Sequence, residues 1–220
     1  VLPEIGKIPL NKLSQNDLQQ FYGRLKKNGR KRLTEQYGAG LSDRMVRMCH
    51  AVCRSALERA VRDDLLRTNP AIGCKLPPKK AKEMQVLDRE ELQKFLIQAQ
   101  TDGYYELFLL DLCTGLRRGE LIALQWEDLN FETGVLTVNK QAYTVNGELQ
   151  IIPPKTKASM RKLVLPPAVL AVLREYRKKV DSRWMFPSPV KADRPITPGV
   201  ARRRLQTILE RADCKRVRFH

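Results

Sequence analysis

Histidine is almost missing from this 220-residue sequence, which carries only His50 and His220, and the five cysteines, Cys49, Cys53, Cys74, Cys113 and Cys214, include no C-x-x-C pair. That poverty supports neither a zinc site nor a disulfide framework, so no metal and no cofactor is expected. Cys49 and Cys53 lie one helical turn apart on an apolar stretch and are read as small core residues. No apolar run approaches transmembrane length, and no signal peptide or lipidation motif is present. A membrane partner is therefore not expected, and a reducing cytoplasm is. Acidic residues are outnumbered, 24 against 41 lysines and arginines, giving a net charge of +17 and a sequence pI near 9.9. A field of that sign attracts a polyanion, and nucleic acid is the first candidate.

The chain also has a break in its pattern. Residues 74–86, CKLPPKKAKEMQV, hold Pro77-Pro78 followed by Lys79, Lys80 and Lys82 without helical or strand period, which predicts an extended linker. Residues 1–83 carry 18 basic and 8 acidic side chains, net +10, and 84–220 carry 23 and 16, net +7. Both halves should meet the polyanion. In the first half, Ser14 opens a predicted helix with Leu18, Phe21, Tyr22 and Leu25 at helical spacing. Ser42 opens a longer one whose apolar stripe is read as Met45, Cys49, Val52, Ala56 and Ala60, running towards Leu66 before Asn69-Pro70. Arg44, Arg47, Arg54 and Arg62 then fall opposite. They form either a solvated face or a DNA-facing one.

In the second half, Asp88 and Glu91 have capping-box spacing ahead of a helix over about 89–100, and a further helix is predicted over 104–113. VLTVNKQAY, the Asn146-Gly147 turn, ELQIIPP and RKLVLP predict a three-stranded antiparallel sheet. Helix resumes near Pro167, and Thr197-Pro198 caps a last helix to about Ala212. The fold class is mainly α with a small antiparallel β-sheet.

The stretch LCTGLRRGELIALQWEDLNFETGVLTV resembles the first catalytic box of tyrosine recombinases, the phage integrase family, and in particular integrases of Gram-positive phages and conjugative transposons. IIPPKTKASMRKLVLP is similar to that family's lysine-bearing hairpin, and VRFH to the start of its His-x-x-Arg box. LSDRMVRMCHAVCRSALERAVRDDLLRTNPA resembles the long helix of its core-binding domain. The resemblance implies a helical core-binding domain over 1–75, lacking its first helix, a basic linker over 76–86 and a mixed α/β catalytic domain over 87–220. It also implies a site-specific recombinase for integration and excision of a mobile element, acting on double-stranded DNA through a 3′-phosphotyrosine. The working form would be a homotetramer on two duplexes, with an excisionase-type accessory factor as a further partner.

Such chemistry needs a covalent nucleophile and donors for the phosphate oxygens as their charge develops. A guanidinium donates two parallel bonds to phosphate, and the match to TGLR assigns this role to Arg117 rather than its neighbour Arg118. Lys155 is assigned as proton donor to the leaving 5′ oxygen, ahead of Lys157, which is read with Lys79, Lys80 and Lys82 and with Arg44, Arg47 and Arg54 as a DNA contact. His220 corresponds to the histidine of the His-x-x-Arg box. By the family's order the second arginine and the nucleophilic tyrosine fall after residue 220, so these 220 residues are expected to bind DNA without cleaving it. None of Tyr22, Tyr37, Tyr104, Tyr105, Tyr143 and Tyr176 matches the nucleophile position. Two other readings stay open: a non-catalytic DNA-binding regulator, and a type IB topoisomerase, which shares the chemistry.

Overall fold

A computed structural model of the chain describes residues 2–79, 83–154 and 159–219. The chain divides into two compact units, Val1–Lys82 and Glu83–His220.

The first unit is helical: α1 (Leu2–Ile5), α2 (Gln15–Asn28), α3 (Thr34–Tyr37) and α4 (Asp43–Arg62). Ser14 caps α2 through a capping box with Asp17, and the Ser42 hydroxyl accepts from the Met45 N–H at the start of α4, so in both helices the first turn is fixed locally. Helix α2 buries Leu18, Phe21 and Tyr22 against Val46, Cys53 and Leu57 of α4. Phe21 and Leu18 are fully buried, each contributing about 1.5–3 kcal/mol of apolar transfer.

The buried stripe of α4 differs from the expected one. It consists of Val46, His50, Cys53, Leu57 and Ala60, while Met45, Met48 and Val52 face solvent. The helix has apolar residues on two faces, and packing against Phe21 and Tyr22 selects the one centred on Cys53. It also ends sooner. Asp64 adopts φ 55, and the N–H groups of Leu65 and Leu66 turn back to the Ala60 carbonyl, which closes α4 at Arg62 rather than near Leu66. Asn69 then ties the returning chain to the helix, donating to the Arg54 carbonyl at 3.0 Å and to Glu58 at 2.8 Å while accepting from the Ala71 N–H.

The second unit contains α5 (Arg89–Thr101), α6 (Tyr105–Thr114), α7 (Arg118–Ile122), β1 (Val135–Val138), β2 (Gln141–Val145), β3 (Glu148–Ile152), β4 (Arg161–Val164), α8 (Pro167–Arg177) and α9 (Pro198–Arg211). Asp88 and Glu91 form the capping box of α5, and Thr197 caps α9. The core gathers Phe95, Phe108, Leu116, Leu121, Leu136, Leu173, Met185 and Ile208.

Here too one expectation is corrected: the strands form two antiparallel pairs, β1 with β4 and β2 with β3, instead of one three-stranded sheet. The residues 135–143 do not run as a single strand because Lys140 turns inward. Its ammonium lies 2.8 Å from Asp128, and both side chains are largely buried. Asn146 and Gly147, at φ 50 and 87, make the tight turn between β2 and β3.

Candidate functional site

The site begins where α6 stops. Gly115 caps α6 in the left-handed region, φ 58, and returns its N–H to the Asp111 carbonyl, so the chain reverses sharply. Leu116 is then driven into the core, and Arg117 follows in extended conformation as the residue that precedes α7. Three residues on, Glu120 is buried with 2% of its side chain exposed. It accepts from the Arg117 backbone N–H at 3.1 Å and from Arg117 Nη1 at 2.9 Å. Arg117 itself remains 70% exposed. The guanidinium is thus held at one edge and open at the others, an arrangement that can receive an anion with parallel hydrogen bonds.

A second arginine converges on the same acid. Arg161, the first residue of β4, donates from Nη2 to Glu120 Oε2 at 2.9 Å and from Nη1 to the Ser159 carbonyl at 3.4 Å. Burial pushes the Glu120 carboxyl up, but the hydrogen bonds from Arg161 and Arg117 outweigh it and hold the group below its ordinary value. Glu120 is therefore an anion in the neutral pH range. Close packing of α7 on β2 supports this geometry: a Cβ on Gly119 would lie 2.6 Å from the Ala142 carbonyl oxygen.

The strap after α9 is pinned along its length. Lys215 Nζ lies 2.8 Å from Glu91 Oε2, and together with the Asp88 N–H it holds the Glu91 carboxyl down to about 2. Gln206 donates to the Val217 carbonyl at 2.8 Å, and Phe219 packs on Phe108 of α6 with ring centroids 6.0 Å apart. The strap is thereby fastened, up to Phe219, to the same helix that delivers Arg117.

Of the residues singled out from the sequence, Lys80, Lys82, Lys155, Lys157 and His220 lie outside the described residues. Arg117 stands at the centre of the cluster above. Arg44 and Arg54 are exposed on α4, and Lys79 is exposed after Pro78. Arg47 differs: it is half-buried, and its Nη1 donates to the Pro77 carbonyl at 2.8 Å, so it fastens the segment that leaves the first unit. Nor do Arg47 and Arg54 lie opposite the buried stripe, because that stripe is centred on Cys53 rather than on Cys49 and Val52. Sequence reasoning passed over Glu120 and Arg161. The three-residue spacing of Glu120 from Arg117, with a helix starting between them, was a usable signal; Arg161 had none, since its contact depends on a pairing 41 residues away.

Among the described residues no cluster of histidine, cysteine and carboxylates could hold a metal ion, and no helix is long and apolar enough to cross a membrane.

Comparisons with known proteins agree on one family. The model of the phage integrase family matches residues 85–220. The ICEBs1 integrase of Bacillus subtilis is 28% identical over 166 residues, covering 74% of this chain and 44% of that protein. A XerC-like tyrosine recombinase of Caldanaerobacter subterraneus is 27% identical over 191 residues, covering 80% of this chain and 46% of that one. The chain thus spans under half the length of these relatives. Among solved structures, the Tn1549 transposon integrase in complex with circular-intermediate DNA superposes with a TM-score of 0.77 at 20% identity, over 93% of this chain and 66% of that one. A lambda integrase dimer bound to a core site gives 0.65 at 15%, over 96% and 69%. These likenesses establish the fold, a mainly helical chain with small antiparallel sheets, and the family match over 85–220 assigns the chain to the phage integrase family of tyrosine recombinases.

Proposed function

We propose that this chain is the DNA-binding and phosphate-activating part of a site-specific recombinase that integrates and excises a mobile element through a 3′-phosphotyrosine intermediate. The observation that carries the reading is Arg117: an exposed guanidinium, oriented by a buried carboxylate, in the motif TGLRRGEL. In the attack on a phosphodiester, negative charge grows on the nonbridging oxygens, and a fixed guanidinium stabilises that charge without reorganising. The relatives include integrases, and the Tn1549 and lambda integrase structures hold DNA, which makes double-stranded DNA the partner of choice here.

Within this reading Lys155 gives its proton to the leaving 5′ oxygen and His220 assists at the scissile phosphate. Lys155 and Lys157 fall in sequence between β3 and β4, and the first residue of β4, Arg161, donates to Glu120, the acid that also holds Arg117. Residues 1–75 act as a core-binding domain, 76–86 as a basic linker and 87–220 as catalytic domain. Arg44, Arg54, Lys79, Lys80, Lys82 and Lys157 supply phosphate contacts. The assembly on two duplexes is a homotetramer, acting at the nucleoid, with an excisionase-type factor biasing direction.

Five of the six tyrosines pack or hydrogen-bond elsewhere. Tyr22 is buried among Phe21 and His50, Tyr143 donates to Gln150, Tyr104 and Tyr37 lie under Arg204 and Arg30, and Tyr176 stacks on Phe186 with its hydroxyl pushed up to about 12 by burial. Tyr105 opens α6. A nicked suicide substrate tests the proposal on the recombinase that contains this chain: a covalent protein–DNA adduct is expected, and it should be lost in Arg117→Ala with duplex binding retained. No adduct, or one indifferent to Arg117, would refute it and favour a non-catalytic DNA-binding protein.

A further inference from the structure

Arg161 has no role in the reading above, yet it shares its carboxylate with the residue that carries that reading. Glu120 divides its oxygens between the two arginines: Oε1 accepts from Arg117 Nη1, and Oε2 accepts from Arg161 Nη2 and from the Arg117 backbone N–H, all at 2.9–3.1 Å. A buried carboxylate facing one guanidinium makes a neutral pair, and that guanidinium is committed to satisfying it. Two guanidiniums on one carboxylate leave the cluster with a charge of +1. The exposures show where the surplus faces solvent: the Arg117 side chain is 70% exposed and that of Arg161 31%.

We propose that Arg161 is a positioning residue for Arg117, neutralising the buried Glu120 from β4 so that the Arg117 guanidinium stays oriented but keeps its charge for an incoming phosphate. Arg161 suits the task because its backbone is fixed. It is paired with Val138 across β1 and β4, and its Nη1 reaches the Ser159 carbonyl. Among the described residues, the charged groups that act on Glu120 are Arg161 and Arg117, which hold its carboxyl low against burial. The inference rests on the reading of Arg117 as the phosphate ligand, and it concerns a residue outside that assignment.

Two measurements separate its failure from the failure of that reading. The first needs only this 220-residue chain: a carbon-13 NMR titration of the Glu120 side-chain carboxyl. Arg161→Met should raise its apparent pKa by about one unit or more, since burial then has one opposing guanidinium instead of two, and Arg161→Lys should raise it less. A titration unmoved by Arg161→Met overturns the inference whatever the activity shows. The second is cleavage by the recombinase that contains this chain. Arg161→Met should slow adduct formation on the order of a hundredfold, as expected when a reacting group is misplaced. Adding Glu120→Gln to that variant should recover much of the rate, because a neutral amide no longer consumes the charge of Arg117. A double variant no faster than Arg161→Met, with both folded by melting temperature, would reduce Arg161 to a structural role and overturn the inference. Arg117→Lys, run in parallel, reports on the reading of Arg117 alone.

Discussion

In residues 1–82 the arginine–carboxylate pairs involve exposed acids, Arg24 with Glu4 and Arg59 with Asp63, whereas in 83–220 Arg117 and Arg161 converge on an acid that water hardly reaches. Exposed pairs of the first kind contribute little to stability and are weakened further by salt. The second fixes a guanidinium in place before any ligand arrives, which is the property that transition-state stabilisation requires. Similar net charges, +10 and +7 in residues 1–83 and 84–220, are thus arranged differently; under the proposed function the first half would attract a duplex and the second would act on one of its phosphates.

The sharpest way to break that contrast is to exchange the charge at Arg117 for another of the same sign. Arg117→Lys is expected to lower cleavage by about 10²–10³-fold, the scale of losing one preorganised donor, with duplex affinity nearly unchanged. Arg44→Ala on α4 should do the reverse, weakening affinity and its salt dependence without altering the rate at saturating DNA. If the two variants gave the same profile in cleavage and filter-binding assays, the division between the units would be wrong.

The units should also respond to pH in opposite directions. Burial pushes the Asp111 carboxyl up to about 7, and its Oδ1 has no hydrogen-bond partner among the described residues. The folded form keeps its proton between the ordinary aspartate value and about 7 while the unfolded chain has lost it, so stability of the second unit falls as pH rises through that window. Asp111→Asn should therefore raise the melting temperature at pH 8, by roughly 2 kcal/mol of stability after discount for partial exposure, and leave it unchanged at pH 4. In the first unit burial, Arg54 and Arg47 hold His50 below its ordinary value. A base depressed in the folded state loses its stabilisation as pH falls from about 6.5, where the unfolded histidine takes up a proton. His50→Gln should flatten that acid limb, a smaller effect read from melting curves between pH 5 and 7.

Arg47 sharpens the comparison from within the first unit. Its bond to the Pro77 carbonyl predicts that Arg47→Ala costs about 1 kcal/mol of stability, whereas Arg54→Ala, exposed seven residues along the same helix, should cost almost none. Equal melting temperatures for the two variants would return Arg47 to the set of DNA contacts.

What the sequence made legible was local. The capping residues Ser14, Asp88 and Thr197 act within three residues of themselves, and the structure has helices beginning immediately after each. The face of α4 was misread because apolar side chains surround it, and the choice between Met45 with Val52 and Val46 with Cys53 is made by Phe21 and Tyr22 of another helix. The single strand read across 135–143 missed Lys140 turning in to Asp128, a contact over twelve residues. Of the candidate site, Arg117 was readable from its motif, while the convergence of Arg161 on Glu120 needs β1 to pair with β4, which no local pattern encodes.

The division of labour at the site is tested most directly by a substrate whose 5′-bridging oxygen is replaced by sulfur, so that the leaving group needs no proton. With the recombinase that contains this chain, such a substrate should restore cleavage to Lys155→Ala and leave Arg117→Lys impaired, because sulfur replaces the work of a proton donor and not that of a phosphate ligand. Rescue of both variants, or of neither, would contradict the account.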